Sequence, residues 1–193
     1  ILYLYLKYVS DIILRYKHLS TSLMYGTIQV KINAPDLVMA YLANQCQHSN
    51  NLINSTLFKV RQEHFDSCPR VEFFDSEGFY RSEFKTKTVK VSYANLCSTM
   101  KENLHYKILG GQCAQQTLKS VAESFSSFNK LLPLFFQGEI KKPKIPNYRK
   151  KGGLAPISFP AQALQFNLET GECRIPISQE NASQVKEHFG LTQ

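Results

Sequence analysis

The sequence lacks the local motifs that mark the commoner catalytic classes. Its two glycine pairs, Gly110-Gly111 and Gly152-Gly153, do not have the Lys-Ser/Thr context with which a P-loop cradles phosphate. No Gly-x-Ser-x-Gly elbow presents a serine nucleophile. These absences argue against a P-loop NTPase and against an α/β-hydrolase.

Cysteine is sparse and scattered. No two of the five cysteines fall within four residues of each other, and the five histidines are dispersed as well. The paired cysteines or Cys/His clusters that hold zinc are therefore missing. His64 and Cys68 are four residues apart, but a single pair at that spacing is more often coincidence than a site. We expect no metal site, no disulfide framework, and reduced thiols typical of a cytosolic protein.

A long hydrophobic run is absent too. Residues 1–14 are mostly apolar, but Lys7 and Asp11 interrupt them, and the stretch is too short to span a bilayer. It has neither the basic start nor the small-residue cleavage site of a signal peptide. Met24 directly precedes a convincing strand. We therefore expect residues 1–23 to lie upstream of the ancestral start, their deletion to leave a soluble fold, and no membrane partner.

What the sequence does have is positive charge concentrated in one place. The formal charge is +8, from 23 Lys and Arg against 15 Asp and Glu, which favours a polyanionic partner. Residues 141–151, here called the basic arm, carry six cations and no acid, and Pro143 and Pro146 exclude a helix. Tyr148 adds a ring able to stack on a base. Such an arm suits a nucleic-acid backbone; the alternative is a solvated linker between two structured parts. The six cations are Lys141, Lys142, Lys144, Arg149, Lys150 and Lys151.

Upstream of the arm, the sequence begins with one strand and a long helix. Residues 25–33 alternate apolar and polar side chains, as in a half-buried strand. Pro35 and Asp36 suit the first turn of a helix, which apolar residues at helical spacing continue to about Phe65. Three asparagines within residues 50–54 fall inside this helix, where asparagine is a mediocre choice. They mark a bend, a polar contact or a satisfied packing role.

The pattern between this helix and the arm is also mainly helical. Residues 71–74 and 79–81 flank Asp-Ser-Glu-Gly and indicate a small hairpin. Ser92 is a candidate N-cap for a second helix, which a glycine pair ends. A further helix is predicted from about 112 to 136, with an apolar stripe.

After the arm the pattern is typical of strands. Short β-like runs cover 155–159, 163–168 and 173–177, and residues 169–172 predict a hairpin turn between the last two. The tail after Ser178 is expected to be loose or a short helix. The first strand has its nearest good partners more than a hundred residues later. The economical topology is therefore α+β: a small β-barrel or curved sheet with a helical insertion after its first strand.

In their order and spacing, several motifs resemble the N-terminal half of the TnpB/OrfB-type transposon-encoded proteins, which are related to the type V CRISPR effectors. Residues 50–54 (Asn-Asn-Leu-Ile-Asn) with Arg61 resemble the family's first recognition helix, and residues 91–93 (Val-Ser-Tyr) the start of its second helical hairpin. Residues 114–119 (Ala-Gln-Gln-Thr-Leu-Lys) are similar to its glutamine-bearing helix. Residues 143–150 resemble its proline-lysine-aromatic segment.

The resemblance covers roughly residues 24–178 and implies an incomplete wedge-type, oligonucleotide-binding-like barrel interrupted by a helical recognition domain. It implies a first wedge strand at 24–34, a recognition domain at 35–140, the arm with the remaining wedge strands at 141–178, and a tail at 179–193. Proteins of this kind bind a guide RNA and read a short motif on the flanking DNA. Guide RNA, DNA and a bacterial cytoplasmic location are therefore implied here.

The resemblance also implies site residues outside the arm. Tyr93 and Gln115 match positions that face the flanking duplex, and a glutamine can pair bidentately with adenine. The alternative is that Tyr93 packs and Gln115 is solvated. The implied nucleic-acid-binding residues are Lys141, Lys142, Lys144, Tyr148, Arg149, Lys150, Lys151, Tyr93, Gln115, Lys119, Asn51 and Arg61.

Relatives of full length continue into a RuvC-type nuclease domain with a metal-binding acidic triad and a zinc ribbon. Beyond Ile177 this sequence has only Glu180 and Glu187 as acids and no cysteine pair. We therefore expect a binding module without catalytic residues or cofactors of its own, since Mg and Zn would belong to the missing domain. The alternatives are a subunit of a split nuclease whose catalytic half is a separate chain, and a degenerate transposon relic.

Overall fold

A computed structural model of the chain describes residues 3–5, 36–167, 169 and 172–182. These residues contain helices and two antiparallel sheets, which confirms the α+β class. The longest helix, α1, spans Asp36–Asp66 and so begins and ends close to the predicted positions. The Asp36 carboxylate lies in the first turn, where it complements the helix dipole.

Three further helices follow. α2 spans Tyr93–Met100, α3 spans Leu104–Leu109 and α4 spans Gly111–Phe136. Ser92 caps α2 as predicted, accepting a hydrogen bond from a first-turn N–H at 3.5 Å. Gly110, at φ +77°, separates α3 from α4, which confirms the predicted break.

The core lies between α1 and α4. The predicted apolar stripe of α4 is buried, with Leu118 and Phe125 fully enclosed, and Leu52 of α1 meets them from the other side. Burying a side chain of this size stabilises the fold by roughly 1.5–3 kcal/mol. Three partly buried residues from the arm and the segment after it pack against this core: Ile145, Ile157 and Phe159.

The predicted hairpin is present and exposed. β2 (Arg70–Phe74) pairs antiparallel with β3 (Tyr80–Phe84), and every residue of both strands is exposed. In the loop, the Asp75 carboxylate accepts a hydrogen bond from the Arg81 side chain and from backbone N–H groups, which holds the pKa of Asp75 below its usual value. The hairpin therefore displays its aromatic side chains to solvent.

The second sheet is small and open. β4 (Gln165–Asn167) and β5 (Glu172–Arg174) pair antiparallel around the predicted turn and are shorter than their patterns suggested. β1 (Tyr3–Tyr5) pairs with the other edge of β5, although it falls within the predicted upstream extension. The strands that are described do not close a barrel. The predicted strand at 25–33 lies outside the described residues, so the barrel stays a prediction.

The prediction of a strand at residues 155–159 is wrong, because these residues form neither strand nor helix. The segment is bonded to α1 instead of to a sheet: the Ala155 N–H donates to the Cys46 carbonyl at 3.0 Å, and Ser49 Oγ donates to the Pro156 carbonyl at 3.1 Å. Pro156 also has no N–H to offer a ladder. The apolar alternation that suggested a strand reflects side chains packing alternately on the helical core.

Candidate nucleic-acid interface

The basic arm contains neither helix nor strand from residue 141 to residue 150, as its prolines predicted. Its two parts differ in what holds them. We call residues 141–144 the open segment. We call residues 146–155, which are the end of the arm and the turn that follows it, the anchored segment, because α1 bonds to these residues and not to the open segment.

Two asparagines of α1 anchor the arm through its backbone. Asn50, which is 1% exposed, donates from Nδ2 to the Lys150 carbonyl at 3.0 Å. Asn54, four residues later on the same helix face, donates from Nδ2 to the Arg149 carbonyl at 3.2 Å and accepts from the Arg149 N–H at 2.8 Å. The helix thus satisfies both backbone groups of one arm residue, as a neighbouring strand would. Of the interpretations open for the three asparagines, the polar contact is confirmed for Asn50 and Asn54.

Arg61 anchors the start of this segment. Its Nη1 donates to the Pro146 carbonyl at 2.8 Å. Its guanidinium carbon lies 5.2 Å from the centroid of the Tyr148 ring and 5.5 Å from that of the Phe65 ring, both within cation–π range. Arg61 therefore positions the arm and its aromatic ring.

The three cations of the anchored segment are not equivalent. Arg149 bonds within the protein: Nε donates to Asn50 Oδ1 at 3.1 Å, and Nη2 donates to the Leu154 carbonyl at 3.3 Å. Lys150 and Lys151 are exposed. Arg149 therefore stabilises the shape of the arm, and the two lysines are the charges that this segment presents.

The turn that presents those lysines requires glycine. Gly152 has φ +71°, in the left-handed region that L side chains rarely adopt. The Gly153 N–H donates to the Lys150 carbonyl at 3.0 Å, and a Cβ added at Gly153 would also lie 3.0 Å from that oxygen. Because Asn50 bonds the same oxygen, the turn and the helix fix one point of the arm together.

A cleft of about 550 Å³ lies beside the open segment. The C-terminal turn of α1, the residues that follow β3, and the open segment form its walls. Five of its lining residues are Lys or Arg, and no Asp or Glu is among the described residues that line it. We call it the cationic cleft; its cations are Arg61, Lys85, Lys87, Lys142 and Lys144.

The electrostatics of the cationic cleft follow from these charges. His64, in its wall, is 9% exposed; burial first, and then the charges of Lys87 and Arg61, hold the pKa of His64 below its usual 6.5. Lys142 Nζ lies 3.4 Å from Glu83 Oε2, and both side chains are more than half exposed. Such a pair is worth at most about 1 kcal/mol. The cleft therefore keeps a net positive potential.

A second cleft, of about 500 Å³, lies between α1, α4 and the anchored segment. It is less suited to an anion. Among its described lining residues Arg149 is the one cation, and that guanidinium is already hydrogen-bonded. The hydroxyls of Ser120 and Ser124 each donate to a carbonyl of their own helix at 2.7 Å.

Some residues implied by the family resemblance lie away from the arm. Gln115 and Lys119 are exposed on α4, and it is Gln116 that lines the second cleft. Lys119 Nζ is 4.0 Å from a glutamate one turn later. Tyr93, 40% exposed, begins α2, and its hydrogen bond with Cys97 raises the pKa of Tyr93. The nucleic-acid roles of these three residues stay predictions.

The family resemblance pointed to Asn51, whereas the arm is held by its neighbours Asn50 and Asn54. Asn51 is half-buried and makes no side-chain hydrogen bond within the described residues. The i, i+4 spacing of the other two was a signal that could have identified them. Lys85 and Lys87 were missed, because no local pattern tells where a hairpin lies relative to a distant arm.

Two histidines meet on the other side of α1. The Nδ1 atoms of His48 and His105 are 2.9 Å apart, so one ring carries its proton on Nδ1 and donates to the other. Burial lowers the pKa of both, and the charge of His105 lowers that of His48 further. Over the described ranges, no three His, Cys, Asp or Glu side chains are placed to hold a metal ion.

Four cysteines of the described residues, Cys46, Cys68, Cys97 and Cys113, are free, and burial raises the pKa of the Cys113 thiol to about 11. In the part of the chain that the structure describes, no helix has the length and apolar character needed to cross a membrane.

Comparison with protein-family models, with curated proteins and with solved structures finds no match to this chain. The resemblance to the TnpB/OrfB-type proteins therefore rests on its sequence motifs alone.

Proposed function

We propose that this chain is a nucleic-acid-binding module that holds a polyanionic strand along the basic arm. One observation supports it most. α1 fixes the backbone of the arm through Asn50, Asn54 and Arg61, while Lys150 and Lys151 stay exposed. A pre-ordered row of charges loses less conformational entropy on binding than a mobile linker does. A linker also has no need of a buried asparagine committed to its backbone.

The motif resemblance narrows the proposal. The strand would be a guide RNA and its DNA target, bound by the front part of a TnpB-like RNA-guided protein whose wedge barrel includes residues 25–33. Arg149 and Arg61 keep the arm in shape, and the five lysines neutralise phosphates. No cleavage step by this chain is part of the proposal.

The test is a salt titration of oligonucleotide binding. The arm variant replaces Lys144, Lys150 and Lys151 with Ala. For a single strand, the slope of log affinity against log salt should fall by about 0.7 for each phosphate that the variant no longer neutralises. Fluorescence anisotropy with a labelled RNA measures both affinity and slope.

A control variant separates the arm from general charge. Replacing Lys90, Lys101 and Lys130 with Ala also lowers the formal charge by three, from +8 to +5, at exposed positions outside the arm. We expect this variant to retain most of the affinity and slope. Equal reductions in the two triple variants would show that the arm has no special role. Sequencing of co-purified RNA then distinguishes a transposon-end transcript from bulk cellular RNA.

A further inference from the structure

We propose that the cationic cleft holds one unstacked nucleotide of the bound strand, with its base against the aromatic floor and its phosphate among the lysines. The inference rests on the proposed function and adds a base-binding site to it. The volume of about 550 Å³ falls in the range of small-ligand sites, which are mostly apolar with a few placed polar groups.

A row of flat groups runs from the arm into the cleft. The Tyr148 ring lies 5.2 Å from the Arg61 guanidinium, which lies 5.5 Å from the Phe65 ring. The Phe65 and Phe84 ring centroids are 4.7 Å apart, and the Arg70 guanidinium lies 5.0 Å from the Phe84 ring. Aromatic rings and guanidinium planes are the surfaces on which unpaired bases stack.

The row is accessible at both ends. Tyr148, on the arm beside the cleft, is 46% exposed, and Phe84, which lines the cleft, is 37% exposed. Stacking a base on such a ring is tolerant of sequence, because every base has a π-face. The site would therefore read the presence of a base and not its identity.

The rim supplies the charge that a phosphate needs. Lys85 and Lys144 are exposed, and neither is in an ion pair within the described residues. Lys87 Nζ donates to the Ser67 carbonyl at 2.7 Å and to Ser67 Oγ at 3.4 Å, which fixes its position and leaves one of its three donors. Lys142 is the partner of Glu83, an exposed pair that a phosphate can replace.

The combination selects a nucleotide over an apolar peptide. An apolar segment would cover the floor but leave the rim cations to be desolvated without partners. A nucleotide matches both, because its base is flat and its phosphate is anionic. Lys142 and Lys144 border the cleft, and Lys150 and Lys151 are exposed further along the same arm, so a strand bound along the arm meets cations at both places.

The experiment compares two single-stranded hexamers of equal charge, one with all bases and one fully abasic, and expresses the result as the ratio of their affinities. The wild type should prefer the hexamer with bases by roughly tenfold or more, the stacking contribution of about one base. Phe84→Leu should lower that ratio by about tenfold. Phe79→Leu is the control: Phe79 is an exposed ring of the same hairpin, under Arg81, outside the cleft.

A second pair of variants tests the phosphate position. Glu83→Gln releases Lys142 and should tighten binding of the hexamer several-fold. Glu72→Gln removes the same charge from the same strand pair without touching the cleft, and should have a smaller effect.

The His64 ring gives an independent signal. A nucleoside monophosphate at millimolar concentration should raise the pKa of His64 in NMR titrations and leave those of His48 and His105 unchanged.

The outcomes separate the two proposals. If the hexamers bind with an arm-dependent salt slope but Phe84→Leu leaves the affinity ratio unchanged, the nucleotide site is refuted and the arm's role stands. If neither hexamer binds, both proposals fall. Displacement of the hexamer by poly-glutamate at equal charge concentration would also overturn the nucleotide site, since it would show a general anion surface. Phe84→Leu also loses the ring contact with Phe65, so the affinity ratio is compared at a temperature at which thermal unfolding shows that both variants are folded.

Discussion

The open and anchored segments each carry three cations of the basic arm, but they differ in what holds them. In the anchored segment, α1 bonds the backbone at Pro146, Arg149 and Lys150, and one of the three cations is itself a structural bond donor. In the open segment, Lys142 and Lys144 border a cleft, and the ion pair of Lys142 with Glu83 is exposed. The comparison teaches that a run of positive charge is not one functional unit. One of its cations, Arg149, holds the arm in place through hydrogen bonds, and others, such as Lys150 and Lys151, remain exposed.

Asn50→Ala should have the largest effect on stability. It removes two hydrogen bonds, one of them to a guanidinium, at a side chain that is 1% exposed. We expect a decrease of about 2–3 kcal/mol in the free energy of unfolding, and a fall in melting temperature of roughly 5–10 °C. Asn51→Ala is the matched control and should change the free energy by less than about 0.5 kcal/mol. Equal effects would show that the arm is not anchored as described.

Gly152→Ala should lower the free energy of unfolding by less than Asn50→Ala does, but it should clearly weaken RNA binding. The φ of +71° makes an alanine unfavourable by about 1–2 kcal/mol. Gly78→Ala, at φ +78° in the hairpin loop with open space around it, carries the same backbone penalty away from the arm. We expect both to lower stability equally and only Gly152→Ala to weaken RNA binding. If Gly78→Ala weakened RNA binding as much as Gly152→Ala does, the claim that the Gly152 turn positions Lys150 and Lys151 for binding would be contradicted.

The sequence predicted the helices more reliably than the contacts between segments. Three helix boundaries depend on local chemistry. The start of α1 was predicted from the fixed φ of a proline, the cap at Ser92 from its side-chain acceptor, and the break at Gly110 from the ability of glycine to adopt a positive φ. The use of Asn50 and Asn54 depends on where residues a hundred positions later return to the helix. The error at 155–159 has the same origin, because alternation indicates which side chains are buried and not whether a strand or a helix covers them.

Only some of the cations of the cationic cleft could be predicted from the sequence. Lys142 and Lys144 stood out because they lie in a charge run. Lys85 and Lys87 are separated from that run by α2, α3 and α4, and lie among residues with no strong period. Their approach is set by tertiary packing of the hairpin on the end of α1, where Phe84 contacts Phe65. No propensity scale contains that information.

The histidines allow a comparison of the two sides of α1 by pH. In the folded protein the pKa values of His48, His105 and His64 are all below 6.5, chiefly because of burial. Below pH 6.5 the unfolded chain therefore binds more protons than the folded one, and stability falls as the pH drops through 6.5 towards the folded values. Above pH 6.5 this contribution is fully present.

Chemical denaturation between pH 7.5 and 5.5 measures this dependence. Replacing His48 and His105 together with Asn should flatten the slope of unfolding free energy against pH, while His64→Asn should flatten it less. Saturating RNA should reduce the contribution of His64 and leave those of His48 and His105, because a phosphate near Lys87 and Arg61 offsets their charges but not the burial that is the larger cause of the lowered pKa of His64. A slope that is the same in the double variant and the wild type would contradict the assignment.

The smallest effect on stability is expected for the displayed lysines, and it tests the comparison most directly. Lys142→Ala breaks an ion pair whose members are 54% and 58% exposed, and Lys151→Ala removes an exposed charge. Each should change the free energy of unfolding by less than about 0.5 kcal/mol. Each should nevertheless weaken RNA binding and reduce its salt slope, because binding depends on the charge and folding does not.

Arg149→Lys should lower the free energy of unfolding while the charge of the arm stays the same, since it keeps the positive charge but loses the forked bonds to Asn50 and Leu154. A destabilisation of either lysine variant as large as that of Arg149→Lys would mean that the arm is held by its charges, and that the division between open and anchored segments is mistaken.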